Sequence, residues 1–154
     1  MRKDLSRTDS SKSDHTLPRS KILRGRKNFQ RLFEKSTVLN SKSLQFRYRI
    51  YPEPGEGCSI GFAAPKKSIP TAVKRNRVKR LLREAYRTHQ YYLQDLFLEK
   101  KIGFHGLFLA KNPDLSFTEI EDEMISLLTQ TRTRLLRLNT AERPANSTLN
   151  SDLK

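Results

Sequence analysis

One segment constrains the fold of this chain more than any other. Residues 74–87, KRNRVKRLLREAYR, predict a helix with two chemically opposed faces. At about 100° per residue, one arc collects Val78, Leu81, Leu82, Ala85 and Tyr86. The opposite arc collects Asn76, Arg80, Arg83 and Arg87, with Arg75, Arg77 and Lys79 beside it. The first face needs a core to pack against, and the second needs a partner that supplies negative charge.

The charge of this segment indicates what that partner is. Residues 74–87 hold seven Lys or Arg residues and a single acid, Glu84, whose i,i+4 partner is Arg80. Like charges on one helix cost a few tenths of a kcal/mol per pair. Arginine predominates, and its planar guanidinium binds phosphate with two hydrogen bonds and stacks on bases. A merely solvated amphipathic helix is the alternative, but the pattern favours a nucleic-acid partner.

The whole composition agrees with that interpretation. The 154 residues include 31 Lys plus Arg and 16 Asp plus Glu, a formal charge of +15, and the pI is near 10.3. Such a field attracts polyanions. An acidic membrane surface would also attract it, but the sequence has no apolar run near the ~18 residues of a transmembrane helix and no signal-peptide core. We therefore expect a soluble, cytoplasmic protein with no membrane partner.

Hydropathy patterns divide the chain into one domain and two tails. We expect a single domain over residues 21–139, flanked by polar, disordered tails at 1–20 and 140–154. A short basic helix is predicted within residues 23–35. Residues 43–51 alternate as a strand, with Leu44, Phe46, Tyr48 and Ile50 on one side and Gln45, Arg47 and Arg49 on the other. A second strand covers 60–64, a third is possible within 66–73, and 102–110 resembles a central strand.

The single cysteine, Cys58, excludes an internal disulfide and is expected to be half-buried at the start of a strand.

The final helix has the clearest start signal. Ser116 and Glu119 form a capping-box pattern, and apolar residues then recur at helical spacing to Leu138. Acidic residues crowd the first turns, namely Glu119, Glu121, Asp122 and Glu123. Four carboxylates are a possible Mg²⁺ site, but neighbouring residues on a helix point in different directions. Capping and solvation therefore explain them better. The overall pattern predicts an α+β fold, a two-layer sandwich in the order α-β-β-β-α-β-α.

Several motifs together resemble the protein component of bacterial ribonuclease P. The segment AVKRNRVKRLLREAYR resembles the arginine-rich signature of that family. The first helix of that family, with its paired phenylalanines, is similar to LRGRKNFQRLFEKS. The strand before the family's signature is similar to IGFAAPKKS. Its last strand and closing helix are similar to GLFLAKNPDLSFTEIEDEM. The resemblance extends over residues 17–138. It implies a left-handed β-α-β crossover through the basic helix, which is rare.

The resemblance also implies two RNA-binding surfaces. The basic helix and its entry loop would bind the catalytic RNA, through Lys74, Arg75, Asn76, Arg77, Lys79, Arg80, Arg83 and Arg87. A cleft between the first helix and the sheet would hold the single-stranded 5′ leader of precursor tRNA, through Phe29, Phe33, Arg47, Tyr48, Lys66 and Lys67. Which face of the 43–51 strand lines this cleft stays open, and core packing is the alternative for both phenylalanines. Two departures from the family pattern, Ala63-Ala64-Pro65 and Ile69-Pro70-Thr71, affect the loop before the basic helix.

The implied function is to assist endonucleolytic removal of the tRNA leader and to broaden the substrate range. No catalytic or metal-binding residue is predicted in this chain, because His15, His89 and His105 have no carboxylate or second histidine at ligand spacing. The chemistry is expected on a catalytic RNA, bound 1:1, whose Mg²⁺ ions are held mainly by the RNA. The alternative is a non-catalytic ribosomal or RNA-chaperone protein. A helix-turn-helix DNA binder fits less well, since predicted strands flank the basic helix, and no DNA partner is expected.

Overall fold

The structure, a computed structural model, describes residues 16–138. In chain order the elements are helix α1 (Arg26–Glu34), strands β1 (Thr37–Asn40), β2 (Leu44–Tyr51) and β3 (Cys58–Ala63), helices α2 (Ala72–His89) and α3 (Tyr91–Lys100), strand β4 (Gly103–Ala110) and helix α4 (Phe117–Arg137). The predicted α+β class is confirmed. Between residues 16 and 138, no helix combines the length and apolar character needed to cross a bilayer.

The four strands form one sheet in the order β1-β2-β4-β3. β1 pairs with β2, and β2 with β4, in antiparallel fashion, whereas β3 pairs with β4 in parallel. Parallel neighbours cannot be joined by a hairpin, so the chain crosses from β3 to β4 through α2 and α3. This is the predicted crossover through the basic helix, and its left-handed sense stays a prediction.

Aromatic rings hold α2 on one face of the sheet, which we call the helix-layer face. Phe108 of β4 stacks on Phe46 of β2 with ring centroids 4.1 Å apart, and it also faces Phe62 of β3 at 6.3 Å. Tyr86 of α2 lies 6.0 Å from both Phe62 and Phe108. The predicted apolar arc of α2 is confirmed, with Leu81 half-buried and the rest buried. Helices α3 and α4 complete this layer.

Helix α1 packs on the opposite face, which we call the α1 face. Leu32 of α1 is fully buried with Leu23 and with Leu107 of β4, and Phe29 packs at the edge of this small cluster. Gly61 of β3 permits the close approach, because a Cβ there would lie 3.2 Å from Leu107 and 3.4 Å from Phe29. The two-layer prediction therefore holds for the sheet with α2–α4, and α1 is an additional, partial cover on the far side.

The start of α4 matches its sequence signal, and its acidic residues have structural partners. The N–H of Glu119 donates to Ser116 Oγ at 3.1 Å, and the N–H of Ser116 donates to Glu119 Oε1 at 2.9 Å. Glu123 accepts hydrogen bonds from the N–H groups of Ser43 and Leu44 at 2.7 and 3.1 Å, and from the Ser41 hydroxyl. The interpretation of Glu119 and Glu123 as structural residues is confirmed.

Two parts of the element order differ from the prediction. The third strand is β1, before β2, and not within residues 66–73, where Ser68 and Ile69 donate to the Pro65 carbonyl in a turn. β1 has only four residues, too few for alternation to be recognised. Helix α3 was not predicted. It buries Leu93, Leu96 and Phe97 but exposes Tyr91 and Leu98, which obscures the helical period.

The N-terminal boundary of the domain lies earlier than predicted. Within 16–20, assigned above to the tail, Leu17 packs against the main core and the Thr16 carbonyl accepts a hydrogen bond from Gln90 Nε2 at 2.8 Å. Ile22 then forms a parallel bridge with Ile60, so this segment lies along the free edge of β3. The tail predictions for residues 1–15 and 140–154 lie outside the described residues.

Candidate nucleic-acid interface

Helix α2 presents its cations on the side away from the sheet. Asn76, Arg77, Arg80 and Arg83 are exposed, Lys79 is half-buried, and the first turn of α2 contains no acidic residue. Cations near a helix N-terminus oppose the helix dipole, which favours anions there. The exposed N–H groups, the dipole and the arginines therefore all favour an anionic ligand on this basic face of α2.

The remaining cations of the basic face have protein partners. Arg87 pairs with Glu84 through its Nε at 3.2 Å and its terminal nitrogen at 2.5 Å, and this ion pair lowers the pKa of the Glu84 carboxyl. The sequence suggested Arg80 as the partner, but the order Glu84 then Arg87 places the acid nearer the helix N-terminus, which the dipole prefers. Arg75 donates to the carbonyls of Ile69 and Pro70 at 3.0 and 2.7 Å and fixes the entry loop.

Lys74 lies at the margin of the basic face. Its Nζ is 3.5 Å from Asp114 Oδ1, and both side chains are largely exposed. Such a surface pair is weak and screened by salt, so Lys74 can exchange this partner for a phosphate. Of the eight predicted residues, the structure thus leaves Arg77, Arg80 and Arg83 most open to a ligand.

The α1 face of the sheet carries a second basic surface. Phe33 of α1 is 51% exposed, and the Arg47 guanidinium carbon lies 4.9 Å from the centre of its ring. Arg47 Nε also donates to Gln45 Oε1 at 3.0 Å, and Gln45 Nε2 donates to Asn40 Oδ1 at 3.1 Å. Lys111 Nζ donates to the same Asn40 oxygen at 3.2 Å. We call this row, from Phe33 to Lys111, the cleft row.

The cleft row includes residues that the sequence did not assign to the site. The sequence placed Gln45 on the polar side of its strand, and this position could have indicated a role in the cleft. No sequence pattern marks Asn40 or Lys111 as a cleft residue. They meet because β1, β2 and β4 are neighbours in the sheet. The row thus runs from an exposed ring through one cation and two amides to a second cation. Such a combination of ring and cations suits the bases and phosphates of a single strand.

Tyr48 does not line this cleft, which corrects the assignment above. It is 4% exposed on the helix-layer face, and its ring stacks on Phe104 with centroids 5.3 Å apart. Successive residues of a strand point to opposite faces, so Arg47 and Tyr48 cannot both reach the cleft. Phe29 is half-buried and packs in the small core, whereas Phe33 contributes an open ring.

A charged cluster surrounds His105 at the other end of the α1 face. Arg31 and Arg49 lie over the Tyr51 ring, 4.5 and 4.9 Å from its centre, and Arg31 pairs with Glu56 at 3.1 Å. His105 is buried beneath them and donates from Nε2 to the Glu56 carbonyl at 3.3 Å. Burial lowers the pKa of His105, and the nearby arginine charges lower it further, against the hydrogen bond to Glu56. This histidine is therefore neutral at physiological pH.

The last predicted cleft residues, Lys66 and Lys67, are exposed in the turn that follows β3. Their position at the carboxyl end of β3 places them on the loop that leads into α2, between the two basic surfaces.

His89, assigned no role, donates from Nε2 to Glu121 Oε2 at 2.9 Å and joins α2 to α4. Over residues 16–138, His, Cys, Asp and Glu side chains form no group of three or more that is arranged for a metal ion.

An α+β domain with exposed arginines on one helix and a basic, aromatic surface on the opposite sheet face is typical of an RNA-binding protein. The family profile described as Ribonuclease P matches residues 17–132. The "Ribonuclease P protein component" of Dictyoglomus thermophilum is 33% identical over 113 residues, covering 73% of this chain and 88% of that protein. That of Chlorobaculum tepidum is 36% identical over 106 residues, covering 66% and 69%. This chain belongs to the ribonuclease P protein family.

Solved structures agree at the level of the fold. The RNase P protein of Staphylococcus aureus superposes with a TM-score of 0.58 at 18% identity, over 76% of this chain and 93% of that one. The RNase P protein of Thermotoga maritima gives a TM-score of 0.56 at 19% identity, over 71% and 96%. As a family member, the chain is a protein subunit of ribonuclease P, an endoribonuclease of tRNA processing.

Proposed function

We propose that the two basic surfaces bind two different RNAs. The basic face of α2 binds the catalytic RNA subunit, and the cleft row binds the 5′ leader of precursor tRNA. The observation that carries this proposal is the exposed Phe33–Arg47 pair on the sheet face opposite α2. A single rigid RNA element cannot contact both faces of one sheet, so two separate elements are the simpler arrangement.

The chemistry of the cleft row suits an unpaired leader. Stacking of a base on an aromatic ring contributes about 1–3 kcal/mol and tolerates any base. Arg47 and Lys111 would meet phosphates, while the amides of Gln45 and Asn40 supply donors and acceptors. This arrangement grips a strand without selecting a sequence, which is what a subunit acting on many precursor tRNAs requires.

The cleavage chemistry is proposed to belong to the RNA subunit. The basic face of α2 consists of cations and one amide, with the nearby carboxylates of Glu84 and Asp114 each paired to a cation. The cleft row consists of cations, amides and one aromatic ring, whereas Mg²⁺ prefers carboxylate and carbonyl oxygens. The Mg²⁺ ions would therefore be held mainly by RNA phosphates. This chain would lower the repulsion between two polyanions and hold the leader, and it would thereby broaden the range of precursors that the RNA cleaves. The single basic face of α2 among residues 16–138 supports the proposal of a 1:1 complex. A role in tRNA processing supports the proposal that the protein acts in the cytoplasm.

The test is cleavage of a precursor tRNA by the matching catalytic RNA at low Mg²⁺, with and without the protein. We expect strong stimulation for a precursor with a leader of several nucleotides and much weaker stimulation when the leader is trimmed to one nucleotide. Equal stimulation of both substrates would contradict a leader-binding cleft. Tight RNA binding without any stimulation would favour the ribosomal or RNA-chaperone alternative.

A further inference from the structure

An exposed aromatic cluster lies where α2 meets α3. Tyr91 is 56% exposed, and its ring stacks on Tyr92 with centroids 4.9 Å apart and an interplanar angle of 29°. The His89 ring lies 6.1 Å from Tyr91 and 6.3 Å from Tyr92. One face of a stacked pair is thus available to a third planar ring. We call Tyr91, Tyr92 and His89 the junction cluster.

Hydrogen bonds to α4 hold the Tyr92 backbone and the His89 ring of the junction cluster. Arg132 donates to the Tyr92 carbonyl at 2.7 Å and pairs with both Asp95 oxygens at 2.9 and 3.0 Å. His89 is fixed by its hydrogen bond to Glu121 at 2.9 Å. Rings whose positions are set by surrounding bonds lose little freedom when they bind a ligand. A loosely attached surface tyrosine would lack that advantage.

The junction cluster lies just beyond the C-terminal end of α2, whose exposed arginines include Arg83. Helix α2 ends at His89 and α3 begins at Tyr91, with Gln90 between them. Tyr91 follows Arg83 by eight residues, which is about 12 Å at the rise of a helix. The acids nearest the cluster are each paired, Glu84 with Arg87, Asp95 with Arg132 and Glu121 with His89. The exposed arginines of α2 are therefore the charges on the approach to the cluster, and an anionic partner that also carries flat rings matches them in charge and shape.

We propose that the junction cluster is a stacking site for an unpaired nucleobase of the catalytic RNA, at the end of the basic face of α2. This inference rests on the proposed function, because it presumes that α2 binds that RNA. Tyr91 would supply the stacking surface, and Tyr92 and His89 would hold its ring in place. Arg83 and Arg80 would neutralise the phosphates on the approach to the stacked base.

The first test uses affinity for the catalytic RNA as a function of salt. A stacking contact is not electrostatic, so Tyr91→Ala should weaken binding about 5- to 100-fold while leaving the slope of log K against log salt unchanged. Tyr91→Phe should restore the affinity because it retains the ring. As a matched electrostatic control, Arg83→Ala should reduce the slope by about one.

The second test uses fluorescence, since the chain contains no tryptophan. Tyr91→Trp introduces a single fluorophore that a stacked base should quench when the catalytic RNA is added. Leu98→Trp, on the same helix at a position 80% exposed, is the control and should show little quenching. Equal quenching of both, or unaltered affinity in Tyr91→Ala, would overturn the stacking site. So would quenching that depends on protein concentration without RNA, which would indicate contact between two copies.

Failure of this inference is distinguishable from failure of the proposed function. If the unmodified protein does not bind the catalytic RNA, the proposed function fails and the junction cluster loses its proposed ligand with it. If the protein binds and stimulates cleavage but Tyr91→Ala behaves like the unmodified protein, only the stacking site is wrong.

Discussion

Arg47 and Tyr48 are adjacent in the chain, but one lies in the cleft and the other in the core. Replacing Tyr48 by Ala removes a ring that packs against Phe104 and Phe46, and we expect the free energy of unfolding to fall by about 3–5 kcal/mol. Arg47→Ala should change it by less than about 1 kcal/mol, because the side chain is half-exposed. Chemical denaturation of both variants measures this difference. Comparable losses would mean that the assignment of faces is wrong.

Gly106 sits beneath the aromatic core, where even one methyl group has no room. A Cβ there would come within 2.8 Å of the Phe46 ring and 2.9 Å of Ile60. Gly106→Ala should destabilise the protein by about 1–3 kcal/mol, because the stacked rings must shift. Gly55→Ala is the matched control, since no atom lies within 4 Å of its Cβ position. Thermal unfolding of the two variants should separate them, and equal midpoints would contradict the tight packing around β4.

His105 should make stability depend on pH in the weakly acidic range. Its pKa is lowered in the folded state, so at pH below about 6.5 the unfolded chain binds a proton that the folded chain does not. The free energy of unfolding should then decrease as pH falls from 7 towards 5, with a slope from this group of at most about 1.4 kcal/mol per pH unit. Above pH 7 the group contributes no slope.

The check for His105 is a comparison of slopes rather than of absolute stability. His105→Gln replaces the titrating imidazole with an amide that does not titrate, so the unfolding free energy of the variant should vary less between pH 7 and pH 5. The two proteins are otherwise identical, so a difference between their slopes reports on position 105. Identical slopes would show that His105 is not the buried neutral group described here.

At the scale of elements, α4 anchors the turn between β1 and β2 through one carboxylate. Glu123 accepts from two backbone N–H groups and a serine hydroxyl of that turn. Glu123→Gln should cost about 1–3 kcal/mol, because the amide cannot replace a charged acceptor for several donors. Asp122→Asn, at the exposed neighbouring position, should be nearly neutral. Amide hydrogen exchange at Ser43 and Leu44 reports the effect locally, and unchanged protection there would contradict the anchoring role.

The elements that the sequence predicted well are those whose signal is local. The capping box sets the start of α4, the apolar arc of α2 is long, and the alternation in β2 identifies its two faces. β1 was missed because four residues carry no readable period, and α3 because Tyr91 and Leu98 interrupt its apolar face. β1 is defined by its pairing with the neighbouring strand β2 and not by a pattern of its own, and α3 depends on α4, which is distant in the chain.

At the scale of the molecule, the basic helix and the cleft lie on opposite sides of one sheet. Residue type and helical spacing identified Arg80 and Arg83, and the resemblance to the family assigned Phe33 and Arg47 to the cleft. The sequence could not decide between Arg47 and Tyr48, since strand alternation alone does not say which face meets α1. Asn40 and Lys111 were not assigned because they join the cleft row only when three strands assemble. Pairing between strands, rather than any local motif, completes this surface.

The two-surface account is tested most directly by two double variants in one assay. We would measure affinity for the catalytic RNA, and the preference for precursor over mature tRNA, for Arg80→Ala with Arg83→Ala and for Phe33→Ala with Arg47→Ala. The arginine pair on α2 should weaken RNA assembly and reduce the salt slope by about two. The cleft pair should leave assembly intact and reduce the preference for precursor by about tenfold or more. If both double variants lose the same property to the same extent, the two surfaces are not separate and the account is wrong.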